Sequence, residues 1–210
     1  MNEHKGWHQR RYLPHLDAAA VVQHVTFRLH GTLPASVIRR LKADTGGADY
    51  QAAVDEQLDS GAGPRWLAIP DCAAIVADAL RQFDGERYDL LAWCVMPNHV
   101  HVLIRQREGW PLGAVVKSWK AYTARMINRR LDRSGPFWAA DYFDRYTRNE
   151  AQLIGTIRYI EANPVKARLC RQPEDWPFSS AAQDRGPSGP LASTRQPADL
   201  KVRDPFHSDR

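Results

Sequence analysis

A hairpin signal near the middle of the chain constrains its fold more than any other feature. Two apolar runs, residues 86–95 and 100–104, are separated by Met96-Pro97-Asn98, a tripeptide that is typical of turns. Short apolar runs on either side of a turn predict two antiparallel strands. The remaining segments decide which elements pair with this hairpin and cover it.

Further strands and helices are predicted on both sides of the hairpin. Two segments alternate in the manner of strands, residues 20–30 and 141–147. Four segments are predicted as helices, residues 36–42, 71–83, 112–127 and 149–162. This order predicts an α+β fold, a ferredoxin-like or RRM-like βαββαβ sandwich in which helices cover a central antiparallel sheet.

The length of 210 residues fits one domain with additions. Residues 1–18 are polar and without periodicity, which predicts a flexible arm, and residues 19–180 form the predicted domain. Residues 181–210 contain four prolines and one aromatic residue, which predicts a disordered tail. The chain has no apolar run of about 18 residues, which excludes a membrane span. Its first 20 residues lack the apolar region of a secretory signal, so a cytoplasmic protein is expected.

Charge is strongly segregated along the chain. Residues 43–64, within a predicted acidic insertion at 43–70, hold five acidic residues and no Lys or Arg, whereas residues 105–133 hold eight basic residues and two acidic ones. This pattern predicts a basic face for a polyanion and an acidic segment that stays away from it. The alternative is that the basic helix is only a solvated helix face. Tryptophans 110, 119 and 138 lie in or beside the basic stretch and are either base-stacking platforms or core residues.

A His-Val-His sequence stands on the second arm of the hairpin. Side chains two residues apart in a strand project from the same face, so His99 and His101 can converge on one divalent cation. The alternative is a pair of half-exposed histidines without a metal. Two imidazoles with an amide oxygen as a third ligand would suit Mg²⁺ or Mn²⁺. Structural zinc would need a closed set of four protein ligands, and the sequence shows none.

The last predicted helix offers a nucleophile and a third ligand. Tyr159 and Asn163 are four residues apart and lie off the apolar stripe of that helix, so both side chains can reach one site. Pro164 disfavours helical geometry at Asn163, which leaves the end of the helix open. Three other tyrosines are rivals on periodicity alone: Tyr122, Tyr142 and Tyr146.

Several segments together resemble one family. They are VVQHVTFRLHGTLP (21–34), WCVMPNHVHVLI (93–104), SWKAYTARMINRRLDRSGPFW (118–138), YFDRY (142–146), RYIEANPVKARLC (158–170) and PEDWPFSS (173–180). The chain resembles the REP-associated tyrosine transposases, which belong to the single-tyrosine His-hydrophobic-His (HUH) superfamily, over roughly residues 20–180. One departure is Arg168, which stands where the family often has Gly.

The resemblance implies a mechanism and a substrate. His99, His101 and Asn163 would bind Mg²⁺ or Mn²⁺, and Tyr159 would attack the scissile phosphate, which leaves a 5′-phosphotyrosine and a free 3′-OH. A second 3′-OH can then reverse the step and join a new strand. The implied substrate is single-stranded DNA with short imperfect hairpins beside a guide tetranucleotide. The implied activity is that of a transposase, a DNA nickase and strand transferase at the nucleoid.

The basic helix is expected to contact the DNA backbone through Lys117, Lys120, Arg125 and Arg129. Two other functions stay open. A two-histidine phosphoesterase would use His24-Val25-Thr26 and need no tyrosine, but its second motif would have His101 where Thr or Ser is required. A catalytically silent protein that only binds palindromic repeats is the other alternative. A monomer and a homodimer are both compatible with the sequence.

Overall fold

A computed structural model describes residues 4, 6–10, 13–44, 47–61 and 63–183. Its central sheet has four strands: β3 (Val22–Arg28), β4 (Tyr88–Val95), β5 (His99–Gln106) and β6 (Phe143–Tyr146). All neighbours are antiparallel, in the order β4-β5-β3-β6. This is the strand order of a ferredoxin-like βαββαβ unit, so the predicted α+β fold is confirmed.

The remaining elements surround this sheet. A two-stranded hairpin, β1 (Gly6–Arg10) and β2 (Leu13–Asp17), precedes it. The helices are α1 (Ala35–Asp44), α2 (Gly47–Asp59), α3 (Pro70–Arg81), α4 (Leu112–Arg130), α5 (Glu150–Lys166) and α6 (Ser180–Gln183). Two short 3₁₀ turns lie at Trp66–Ala68 and Pro173–Asp175. Within the described residues no helix is both long and apolar enough to cross a bilayer, and all three cysteines are free thiols.

The two faces of the sheet bury different sets of side chains. Val100 and Val102 of β5 join the larger core that α3 and α4 cover. Leu103 faces the opposite side, where it packs with Leu153 and Ile160 of α5. Because side chains alternate along a strand, His99 and His101 share the face of Leu103 and lie under α5.

Two tryptophans of the basic stretch are core residues that lie in a hydrogen-bonded network. The Trp119 indole donates to the Tyr88 hydroxyl (2.9 Å), which donates to the carbonyl of Leu80 (2.7 Å). The Trp138 indole donates to Thr123 Oγ1 (2.9 Å). Buried polar atoms that are all paired stabilise a core, and buried rings cannot stack on DNA bases. Of the two roles left open by the sequence, Trp119 and Trp138 therefore have the structural one.

The N-terminal segment differs from the predicted flexible arm, because residues 6–10 and 13–17 form the β1–β2 hairpin. Asp144 of β6 anchors it by a hydrogen bond with the His15 ring and by accepting from the backbone N–H of Leu16 (3.2 Å). Asp17 accepts from the N–H of Leu112 at the start of α4 (3.1 Å). These partners are more than 90 residues away, so no local pattern reveals them. The predicted disorder after residue 183 lies outside the described residues.

The acidic insertion also differs from its prediction. Helices α1 and α2 share a small core around Leu33, Val54 and Leu58. The Asn98 side chain, in the turn between β4 and β5, donates to the carbonyl of Leu58 (2.8 Å). The segment returns to the sheet through Gly63, whose φ is +81° and where a Cβ would lie 2.8 Å from a backbone oxygen. Helix α2 is thus attached beside α5 and the histidines, on the face of the sheet opposite to the basic helix α4.

Candidate active site

The two histidines of β5 turn their Nε2 atoms toward each other. Both residues are fully buried, and the two Nε2 atoms are 2.9 Å apart. The amide of Asn98 fixes the tautomer of His99. Its nitrogen donates to Leu58, so its oxygen is the atom that accepts from His99 Nδ1 (2.7 Å). The Nε2 atom of His99 therefore carries a lone pair.

A third histidine supports the pair from β3. His24 Nε2 lies 3.1 Å from His101 Nδ1, and Thr26 Oγ1 lies 3.1 Å from the same atom. Burial lowers the pKa of His24 to about 4, with a smaller contribution from Arg145. Burial likewise lowers the pKa of His99 to about 3 and that of His101 well below its usual range. All three rings are therefore neutral at pH 7, and neutral imidazole is the form that binds metals.

The Nε2 pair fits a divalent cation. Two nitrogens at about 2.1 Å from an octahedral metal and at right angles would be about 3.0 Å apart, close to the observed 2.9 Å. The described residues contain no group of three or more His, Cys, Asp and Glu that could hold a metal by themselves. A third protein ligand would have to be an amide or a hydroxyl, and Asn163 has the required chemistry.

Helix α5 continues through Pro164, so Asn163 is helical, and its side chain is 1% exposed. Pro164 has no N–H to donate to the carbonyl of Ile160. Asn163 Nδ2 donates to that carbonyl instead (3.4 Å), and it also donates to the carbonyl of Tyr159 (2.9 Å). The amide nitrogen is thereby used within the helix, which leaves Oδ1 as the atom with ligand chemistry. The helix therefore does not end at Asn163, because the Asn163 side chain replaces the hydrogen bond that Pro164 cannot make.

Tyr159 packs directly against the histidines. Its ring centroid is 5.9 Å from that of His101 and 6.0 Å from that of His24, both edge to face. Its hydroxyl donates to Asp55 Oδ2 of α2 (2.6 Å), and Lys166 Nζ lies 4.0 Å from the ring centroid. Burial raises the pKa of Tyr159 far above its usual range, and Asp55 adds to this effect. The hydroxyl is thus protonated at neutral pH.

Of the three rival tyrosines, two lie away from the histidines and the third lies beside Tyr159. Tyr122 is 46% exposed on α4, which covers the opposite face of the sheet. Tyr142 is buried against the ring of His15. Tyr146 shares with Tyr159 the wall of a cavity of about 280 Å³ that also includes polar side chains of β3, β6 and α5: His24, Arg145, Gln152 and Thr156. Geometry thus favours Tyr159 as the tyrosine of the site.

The four predicted DNA contacts all lie on α4, away from the histidines. Lys117, Arg125 and Arg129 are exposed. Lys120 instead donates to the carbonyls of Ala139 (2.6 Å), Ala140 (3.1 Å) and Asp141 (3.5 Å). Its ammonium holds the segment before β6 in place, so the structure gives Lys120 a structural role that its sequence position did not reveal.

Two neighbours of the site were not singled out from the sequence, Asp55 and the side chain of Asn98. Asp55 lies next to Val54 in a helix whose apolar residues recur every four positions, and an acidic residue there reads as solvated. It is in fact 2% exposed. Only the packing of α2 against α5 makes this residue part of the site.

Comparison with known proteins supports the predicted resemblance. Residues 71–163 match the family described as "Transposase IS200 like". A REP-associated tyrosine transposase of Escherichia coli is 26% identical over 97 residues, which cover 46% of this chain and 56% of that protein. A relative in Haemophilus influenzae, named for the same family, is 26% identical over 107 residues, which cover 46% of this chain and 61% of that protein. The chain thus spans about three fifths of the length of these curated relatives.

A solved structure shows the same fold. The structure of a REP-associated tyrosine transposase bound to a REP hairpin superimposes with a TM-score of 0.55 at 19% identity, over 97% of each chain. It agrees with the α+β fold and antiparallel sheet described above. The chain is therefore similar to the REP-associated tyrosine transposases, and the match to the IS200-like transposase family lies in residues 71–163.

Proposed function

We propose that this chain is a transposase, a metal-dependent endonuclease and strand transferase that cleaves hairpin-bearing single-stranded DNA through a 5′-phosphotyrosine on Tyr159. One observation carries the proposal. The Tyr159 ring packs against His101, whose Nε2 atom is 2.9 Å from that of His99. The side chain proposed as the nucleophile therefore lies beside the two proposed as metal ligands, which supports the proposal.

Each residue of the site has a separate role in the proposed reaction. His99, His101 and the amide oxygen of Asn163 would hold Mg²⁺ or Mn²⁺, which when bound would neutralise charge on the scissile phosphate. Tyr159 supplies the attacking oxygen. Arg145 brings a positive charge to the cavity beside that tyrosine, where the flanking nucleotide can be held.

The proposed substrate follows from the relatives. One structural neighbour was solved with a REP hairpin, and we propose that this chain also acts on DNA hairpins with a single-stranded flank. Attack by one tyrosine cuts one strand, which favours single-stranded DNA. An enzyme with this substrate would work in the cytoplasm, at the nucleoid.

A covalent-trapping gel tests the proposal. The protein is mixed with a labelled single-stranded hairpin oligonucleotide from the DNA beside its own gene, with Mn²⁺ or with EDTA, and resolved under denaturing conditions. We expect a Mn²⁺-dependent adduct that Tyr159→Phe abolishes. Tyr122→Phe is the matched control, because this exposed ring lies on the other face of the sheet. A clear gel shift without any wild-type adduct would instead identify a catalytically silent DNA-binding protein.

A further inference from the structure

We propose that Asp55, on the acidic helix α2, is a catalytic residue that accepts the proton of Tyr159 when the tyrosine attacks the phosphodiester. The inference rests on the proposed function, because it assigns the proton acceptor for the same tyrosine. It gives the acidic insertion a role in the chemistry of the site.

The contact between the two residues is short and enclosed. Tyr159 Oη donates to Asp55 Oδ2 at 2.6 Å, a length typical of a hydroxyl bound to a carboxylate. Asp55 is 2% exposed, and its second oxygen, Oδ1, is buried with no hydrogen-bond partner. An unpaired buried oxygen costs free energy, which argues against a role in stability alone. Asp59 Oδ1 is also buried and unpaired, but only Asp55 combines this feature with a hydrogen bond to Tyr159.

Helix α2 is held in register with the site at two further points. The Tyr50 ring packs edge to face on Phe143 of β6, with centroids 5.5 Å apart. At the other end, Asn98 binds the carbonyl of Leu58 and the ring of His99. The same side chain thus links α2 to the proposed metal ligands, so Asp55 and the histidines keep a fixed relation.

The chemistry of the site requires such a group. A tyrosine attacks phosphorus effectively only as its proton leaves, and burial makes ionisation of Tyr159 before the reaction unfavourable. Burial raises the pKa of Asp55 to about 7. The Tyr159 hydrogen bond and Lys166 oppose this shift, whereas Asp59 adds to it. These are the titratable groups that α5 and α2 direct toward Asp55. A base with a pKa near the working pH is well matched to general-base catalysis.

Bond exchange at phosphorus is coupled to proton transfer in the proposed step. The Tyr159 Oη–phosphorus bond forms, the bond from phosphorus to the 3′ oxygen breaks, and the Tyr159 proton moves to Asp55 Oδ2. The leaving 3′ oxygen takes a proton from water, and Asp55 returns its own proton to water. In the reverse, strand-joining direction, Asp55 first takes up a proton from water. It passes this proton to the Tyr159 oxygen as the phosphotyrosine bond breaks, and the attacking 3′-OH gives its own proton to water.

A competing role for Asp55 makes the opposite prediction. If the carboxylate only restrained the tyrosine in a resting position, it would repel the anionic phosphate and would have to be displaced before attack. Its removal would then accelerate cleavage. The sign of the change in rate therefore separates a proton acceptor from a restraint.

The test compares Asp55→Asn with Asp59→Asn in single-turnover adduct formation, with the same hairpin oligonucleotide and saturating Mn²⁺. Asn keeps the shape of Asp and can still accept a hydrogen bond from Tyr159, but it cannot take the proton. Asp59 lies one turn further along α2, and no hydrogen bond joins it to the tyrosine, so its substitution removes a comparable charge without the contact. Oligonucleotide binding in EDTA and thermal melting are followed for each protein.

We expect Asp55→Asn to slow adduct formation by about 10²–10³-fold with unchanged DNA binding, and Asp59→Asn to change it by less than about fivefold. The wild-type rate should fall below about pH 7, where Asp55 becomes protonated, and Asp55→Asn should lose this titration. Equal or faster cleavage by Asp55→Asn overturns the inference alone. The absence of any wild-type adduct refutes the proposed function and this inference with it.

Discussion

Asp55→Asn should make the protein more stable at alkaline pH and leave its stability almost unchanged at pH 4. The pKa of Asp55 rises from 3.8 to about 7 on folding because the carboxyl is buried. The native state therefore binds a proton that the unfolded state has released, and stability is lost as pH rises from about 4 to about 7. A rise of about three pH units at 1.36 kcal/mol each gives a loss on the order of 4 kcal/mol. This value is an upper limit, because local opening of α2 would expose the carboxyl to water without unfolding the whole protein.

Urea denaturation at pH 4 and pH 8 measures this effect. Most carboxylates titrate alike in the wild type and the variant, and only Asp59 is electrostatically coupled to Asp55 on the same helix. The change with pH in the difference in unfolding free energy between the two proteins therefore reports mainly on Asp55. We expect this difference to grow by several kcal/mol between the two pH values, a large part of the stability of a typical domain. Asp59→Asn is the comparison on the same helix: burial raises the pKa of Asp59 to about 6, so this variant should show a smaller change of the same sign. A difference that is the same at both pH values would refute the assignment of a buried, high-pKa carboxyl.

Four further substitutions test the assignments made for other side chains. Lys120→Ala should lower the free energy of unfolding by about 1–3 kcal/mol because it leaves carbonyls unpaired, whereas Lys117→Ala should leave stability unchanged and reduce the slope of log K against log salt by about one. If both variants behave alike in urea and in salt titrations, the structural role of Lys120 is wrong. Asn98→Ala should weaken Mn²⁺ binding by about 10–100-fold in calorimetry because His99 loses its orienting partner, and an unchanged affinity would contradict this role. Tyr88→Phe should cost about 1–3 kcal/mol in urea through its buried network, and a neutral result would remove that network from the stability of the core.

The hairpin and its histidines could be predicted because their information is local. A turn tripeptide between two apolar runs determines the pairing of β4 with β5, and alternation along β5 places His99 and His101 on one face. The four-residue spacing of Tyr159 and Asn163 likewise needs only a helix. These features depend on residues within one turn or one strand of each other, so periodicity is sufficient to find them.

The role of the acidic helix could not be predicted in the same way. Asp55 is 104 residues from Tyr159 in sequence, and nothing in its own helix distinguishes it from a solvated acidic residue. Lys117 and Lys120 present the same difficulty, since both are lysines on one helix. Their roles differ only because Lys120 binds carbonyls of the segment before β6. Long-range packing determines the roles of these residues, and a count of charges along the chain does not reveal it.

The position of Asp55 links stability to activity in opposite directions. A buried carboxyl with an unpaired oxygen destabilises the folded protein above about pH 4, and a fold-stabilising role would give the opposite sign. Because burial raises the pKa of Asp55, Asp55→Asn should unfold at higher urea at pH 8. If Asp55 also accepts the proton of Tyr159, the same variant should cleave more slowly at that pH. A variant that is both less stable and less active would indicate a purely structural contact. Both measurements on one protein at one pH therefore separate the two roles.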